Sequence, residues 1–135
     1  MQERYGTLYL CPTPIGNLED ITLRALKILK RVDFIAAEDT RVTVKLLNHY
    51  EIKTPLISYH EHNQRQKGPE IIQLLLNGKN VALVTDAGTP GISDPGEDLV
   101  KLAVAEEIPV VPLPGAVAAI CALVASGLST ERFVF

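Results

Sequence analysis

At 135 residues and 47% hydrophobic composition, the chain is one domain's worth with enough apolar side chain for a real core, which excludes disorder. No apolar run reaches the roughly eighteen residues of a membrane span, and the amino terminus, MQERYGTLYL, lacks signal-peptide order, so a cytoplasmic, non-membrane protein is expected. The net charge of −3 excludes a uniformly basic nucleic-acid binder, yet residues 24 to 67 hold nine Lys/Arg against five Asp/Glu (+4) and residues 68 to 135 three against eight (−5).

Strand-like runs at Thr7–Cys11, Asp33–Ala37, Leu56–Tyr59, Val81–Thr85 and Val110–Leu113 alternate with helical patterns. The first helix is expected from Asp20 or Thr22, with Leu23, Leu26 and Leu29 on one side. Thr40 is expected to cap a second helix carrying Leu46 and Leu47. Pro69 should open a third that stops at Gly78. A fourth follows Pro95, with Asp94 as N-cap and Glu97 completing a capping box. A fifth, Ala116–Ser126, is apolar all round and should be buried against the sheet or a partner chain. Cys11 and Cys121 read as small buried hydrophobes that need no disulfide. Strands apolar on both faces and joined by helices predict an α/β domain, with an open, mainly parallel five-stranded sheet and helices on both faces.

In such a sheet the carboxyl ends of the strands form the working edge. The loop after the fourth strand, from Thr85, spends about ten residues where two to six are usual, and its glycines and prolines suit a ligand lying against the backbone. The first loop, Cys11–Asn17, has neither the glycines of a dinucleotide site nor a Gly-Lys-Ser/Thr ending. Pro12 and Pro14 offer no N–H to a phosphate and suit a rigid apolar wall. After the second strand, Glu38, Asp39 and Arg41 could bind metal, orient a hydroxyl or serve a helix N-terminus. The third loop, Tyr59–Asn63, sets His60 and His62 around a glutamate; in an extended segment they would point to opposite sides, so no metal is expected. In the last loop, Pro114-Gly115-Ala116-Val117-Ala118, small residues would let a flat ring lie on the backbone. The charge asymmetry would suit an anionic polymer on one half and a cationic ligand on the other.

Together, CPTPIGNLED at 11 to 20, AEDTR at 37 to 41, YHEHN at 59 to 63, TDAGTPGISDPG at 85 to 96 and LPGA at 113 to 116 resemble the tetrapyrrole methylase family along the whole chain. The EDTR and HEHN strings are similar to the branch of that family that methylates a cytidine 2′-hydroxyl in small-subunit ribosomal RNA. The resemblance implies two α/β domains, of which residues 1 to 135 match the first, with S-adenosylmethionine in the cleft between them, usually in a homodimer. Absence of a second domain would leave this piece inactive alone. By position, the resemblance carries the donor to Pro14, to Asp86, Ala87, Gly88, Thr89, Pro90, Gly91, Ile92 and Ser93, and to Gly115, Ala116, Val117 and Ala118. Glu38, Asp39, Arg41 and His60 would handle ribose or phosphate. Two alternatives stand beside this: a family member with a tetrapyrrole or other acceptor, and a non-catalytic dimerisation or binding module built on the Ala116–Ser126 helix.

Overall fold

The structure is a computed structural model that describes residues 4–135; the part of the amino-terminal reading that falls on Met1–Glu3 lies outside them. Five strands, β1 (Leu8–Leu10), β2 (Phe34–Ala37), β3 (Leu56–Ser58), β4 (Val81–Val84) and β5 (Val110–Pro112), pair in parallel in the order β3-β2-β4-β1-β5. The helices are α1 (Leu23–Arg31), α2 (Thr40–His49), α3 (Gln64–Leu76), α4 (Gly96–Ala105) and α5 (Ala118–Ser126). A single 3₁₀ turn, Leu18–Asp20, precedes α1.

All four residues of β4 are buried. One apolar cluster joins α1 and α2 to one face of the sheet through Ala25, Leu29, Leu46 and Leu47. A second joins α3 and α4 to the other face through Ile71, Leu75, Leu99 and Ala103. β4 therefore sits between β2 and β1, whose outgoing helices leave over the opposite face from its own. That reversal opens a crevice at the carboxyl end of β4, where sheets of this kind take their ligands.

Of the two starts expected for α1, Thr22 is the one used: its hydroxyl accepts the Ala25 N–H at 3.0 Å. The buried face of α1 is Ala25 and Leu29, while Leu23, in the first turn, is 79% exposed. Asp39, rather than Thr40, caps α2, accepting the Arg41 N–H at 2.9 Å.

Pro69 does not open α3; it lies inside it. The helix begins five residues earlier, where the Asn63 carbonyl accepts the Lys67 N–H at 2.8 Å. A proline here forfeits one bond, to the Arg65 carbonyl, and normally crowds the Cβ of the residue before it. That residue is Gly68, which has no Cβ, so this part of the clash is absent and the helix continues through Pro69.

The fifth helix does not take the first of its two expected places, against the sheet. No residue of α5 is buried, and Ile120 and Val124 are 42% and 68% exposed, so it is not packed on the sheet. Cys121 is exposed with it, and only Cys11 is the buried hydrophobe expected. Burial pushes the Cys11 thiol up to about 12, which keeps it inert.

Candidate functional site

The loops at the carboxyl edge are tied to one another by hydrogen bonds. Thr13 and Gly88 exchange two backbone bonds of 3.0 Å, a lone antiparallel bridge between the first and fourth loops. The buried Thr13 hydroxyl donates to the Thr85 carbonyl at 3.3 Å. Gly88 stands at φ +82, where a side chain is strained, and an added Cβ would lie 3.3 Å from Ile15 Cγ2. The Thr89 hydroxyl donates to the Ala116 carbonyl at 2.9 Å and ties the fourth loop to the fifth. Gly115 lies against the Pro12 ring, closing the circuit between the fifth loop and the first.

Asp94 holds the far end of the fourth loop. Its carboxylate accepts the Gly91 N–H at 2.9 and 3.1 Å and the Gly96 N–H at 2.8 Å. Pro95 flanks α4 with helical angles, φ −59 and ψ −16, so the carboxylate caps the helix as expected. The reciprocal half of the capping box is replaced: Glu97 reaches forward to Lys101, with its carboxylate 3.4 Å from Nζ. Between them Ser93 adopts φ +55, a left-handed conformation for a residue with a side chain.

Three hollows open along this edge. An apolar groove of about 570 Å³ runs between the fourth loop and α5, lined by Ile15, Ala87, Gly88, Thr89, Ile92, Val117 and Ala118, with Phe133–Phe135 across one end. Next to it, across the Thr13–Gly88 bridge, lies a cleft of about 330 Å³ walled by Pro14, Leu18, Val42 and Leu46, with Asn17, Lys45 and Asp86 among its polar groups. An acidic cleft of about 340 Å³ takes in Glu38, Glu61, Ser93, Asp94, Glu97 and Asp98.

The residues expected to meet a donor thus divide. Six line the apolar groove, Pro14 and Asp86 line the cleft, and Ser93 lies on the acidic side. Pro90, Gly91, Gly115 and Ala116 line none of the three; Gly91, Gly115 and Ala116 shape the loops through the contacts above.

The second and third loops meet the fourth through charge. The Asp86 carboxylate accepts the Asp39 N–H at 3.1 Å. Asp39 in turn holds the Arg41 guanidinium through Nε and Nη2, both at 3.1 Å. The Arg41 hydrogen bonds hold the Asp39 carboxyl below its usual range, and Asp39 raises Arg41 in return. Both are at the surface, so the pair orients Arg41 more than it stabilises the fold.

Partial burial, then the charges of Asp86, Asp94 and Glu61, push the Glu38 carboxyl above its ordinary range, and His60 opposes them. His60 and His62 do not point to opposite sides. The segment turns, their rings stand 5.7 Å apart edge to face, and His60 Nδ1 accepts the His62 N–H at 3.1 Å. That bond leaves the neutral ring's proton on Nε2. Among the described residues no group of three or more His, Cys, Asp or Glu is arranged to hold a metal ion.

The Glu38 shift has a thermodynamic consequence. A carboxyl with a raised pKa binds its proton more tightly folded than unfolded, so its contribution favours folding at low pH and is lost as pH rises through the folded value. Glu38→Gln is therefore expected to raise Tm at pH 7, with the gain shrinking towards pH 4. Melting both proteins across that range checks it, and a gain that does not depend on pH would refute the assignment.

Sequence reasoning missed three contributors. Thr13 fastens the first loop to the fourth, yet it looks like a spacer between prolines. Lys45 was legible, since it follows Arg41 by four residues and so shares its helix face. Gln64, whose Oε1 is buried without a hydrogen-bond partner, gave no signal.

The doubly covered parallel sheet, the tied loops and the hollows at its carboxyl edge define a class of α/β ligand-binding domain, and a family model specifies which. The chain belongs to the Tetrapyrrole (Corrin/Porphyrin) Methylases, whose model matches residues 7–134. It is 61% identical, over 130 residues and 96% of its length, to a Halalkalibacterium halodurans protein named Ribosomal RNA small subunit methyltransferase I. A Bacillus subtilis protein of the same name is also 61% identical over 130 residues and 96% of this chain. The chain spans about half the length of these curated relatives, 45% and 44% respectively. The uroporphyrin-III-C-methyltransferase of Thermus thermophilus shares the fold, with a TM-score of 0.68 at 24% identity over 94% of this chain and 55% of that one.

Proposed function

We propose that the chain is the donor-binding part of an S-adenosylmethionine-dependent methyltransferase that methylates a cytidine 2′-hydroxyl in small-subunit ribosomal RNA. The observation that carries this reading is the 61% identity to the ribosomal RNA methyltransferases, which extends over 130 residues and takes in the loops at the working edge. The reading extends to the small ribosomal subunit as partner, to the cytoplasm as its place of action, and to a homodimer. The exposed apolar surface of α5 supports an assembly that covers it.

The residues present fit the donor. The apolar groove, with small residues Ala87, Gly88 and Ala118 along it, suits a flat purine ring, and the neighbouring carboxylates suit a sulfonium charge. Bound there, the donor supplies a methyl group activated by its positive sulfur. The chain's own task is to hold the ribose oxygen in line and take its proton late in the transfer. Glu38, with its raised pKa, is the proton acceptor of this reading, and His60, a donor through Nε2, orients the ribose or a phosphate. Arg41, already turned by Asp39, contacts the RNA backbone.

Calorimetric titration of S-adenosylmethionine and S-adenosylhomocysteine, with ATP and NAD as controls, tests the cofactor. Selective binding of the first two is expected. Equal binding of all four would remove the reading. The acceptor is tested by offering radiolabelled donor with ribosomal subunits or porphyrins to a protein that carries this chain together with the other half of its relatives; label on porphyrin alone would move it to another branch of the family.

A further inference from the structure

We propose that the cleft between the first loop and α2 receives the pyrimidine base of the acceptor nucleotide, and that Asp86 distinguishes cytosine from uracil there. The inference rests on the methyltransferase reading above and adds where the acceptor sits and what reads it.

Position is the first argument. The cleft and the apolar groove meet along the chain, Pro14 and Asp86 lining one, Ile15 and Ala87 the other. A donor in the groove and a base in the cleft are thus neighbours. Size and lining come next. About 330 Å³ is at the small end of ligand pockets and suits a single ring with its sugar, not a polycyclic tetrapyrrole. Aliphatic walls from Pro14, Leu18 and Val42 can grip a flat ring by its faces. A nucleotide reaches such a cavity only when extruded from its stack, as bases that undergo enzymatic chemistry commonly are.

Charge separates this cleft from its neighbours. The acidic hollow would repel a phosphate, and the apolar groove has no cation among its lining residues. Only this one of the three hollows has a lysine in its wall, Lys45, with Arg41 one turn earlier on the same helix. Asp86 supplies the reading. Its Oδ1 accepts the Asp39 N–H at 3.1 Å, which fixes the carboxylate and uses one of its roughly four lone-pair sites. Cytosine offers an exocyclic amino donor to such an acceptor, as in the known pairing of Asp with the cytosine N4 amine, whereas uracil places an oxygen there and meets two acceptors face to face.

The test is a titration of the ¹⁵N-labelled chain followed amide by amide, with cytidine 5′-monophosphate, uridine 5′-monophosphate and S-adenosylhomocysteine as separate probes. Cytidine monophosphate is expected to shift the amides of Gly16, Asn17, Thr43 and Asp86 and to bind about tenfold more tightly than the uridine nucleotide, a modest value for one base-specific contact. Asp86→Asn, which keeps an acceptor for the Asp39 N–H and can also donate, should reduce that preference to within about twofold. The proposal is overturned if both nucleotides bind the unaltered chain equally, if neither binds, if the shifts lie elsewhere, or if Asp86→Asn keeps the preference. S-adenosylhomocysteine reads the groove separately, through Gly88, Thr89 and Ala118. Donor binding without nucleotide binding would defeat this inference alone, and failure of all three probes would defeat the methyltransferase reading as well.

Discussion

Gly6→Ala is expected to cost the fold about 3–5 kcal/mol, a large share of the roughly 5–15 kcal/mol by which domains are stable. Gly6 is buried just before β1, and its N–H donates to the Leu75 carbonyl at 2.7 Å. An alanine Cβ would lie 1.7 Å from the Lys79 carbonyl oxygen and 2.4 Å from its carbon. Both are backbone atoms, so no side chain can rotate away. Relief requires moving the start of β1 from the turn before β4. That turn also carries the 2.9 Å bond from Thr7 N–H to Asn80 Oδ1 and the 2.8 Å bond from Asn80 N–H to Asp33 Oδ2. The β1–β4 pairing that sets the first and fourth loops side by side begins there, with Leu8 opposite Val81. Tm is expected to fall by about 10 °C or more. A fall of less than about 2 °C would mean that the turn is freer than its bonds indicate.

Asp94→Ala is expected to weaken S-adenosylhomocysteine binding at least about tenfold and to lower stability by about 2–4 kcal/mol, the scale of a lost helix cap plus an orphaned amide. The carboxylate ties Gly91 in the loop to Gly96 at the start of α4, and so holds the far end of a loop whose near end is held by the Thr13–Gly88 and Thr89–Ala116 bonds. Asp94→Asn separates shape from charge. It keeps one acceptor oxygen for these amides while removing a negative charge beside the groove and one cause of the raised Glu38 pKa. If shape dominates, the asparagine variant should bind nearly as well as the unaltered chain. If charge dominates, it should bind like the alanine variant at near-normal Tm. An alanine variant that melts within about 1 °C of the unaltered chain and binds equally would show that Asp94 does neither.

The strands and the working edge were legible because their signals are local. Runs such as Val81–Val84 are apolar on both faces, which only a doubly covered strand tolerates, and all five expected strands fall within a residue or so of those observed. Thr22 and Asp94 announced helix starts through short side chains that reach their own backbone, and at α2 Asp39 does so in place of the expected Thr40. The errors arose where a local signal met a distant contact. Pro69 reads as a helix start until Gly68 is seen to relieve it. Leu23 fits the apolar stripe of α1 but falls in the first turn and is exposed. His60 and His62 were set apart by assuming an extended segment, and a turn brings their rings together.

Local chemistry thus settled the strands, the number and order of the helices though not where α3 starts, that the sheet is parallel, and which five loops gather at one edge, because backbone preference and burial pattern act over a few residues. The strand order, and with it the crevice at β4, depended on which pairings bury the most apolar surface on both faces, a property of the whole chain. The same holds for the division of the edge into an apolar groove, a cleft beside Lys45 and an acidic hollow. Asp86 follows four apolar residues in β4 and one threonine; only folding places its carboxylate on the Asp39 amide, 47 residues away along the chain. Through-space contacts of that kind set the charge, shape and reach of the site, and no local pattern encodes them.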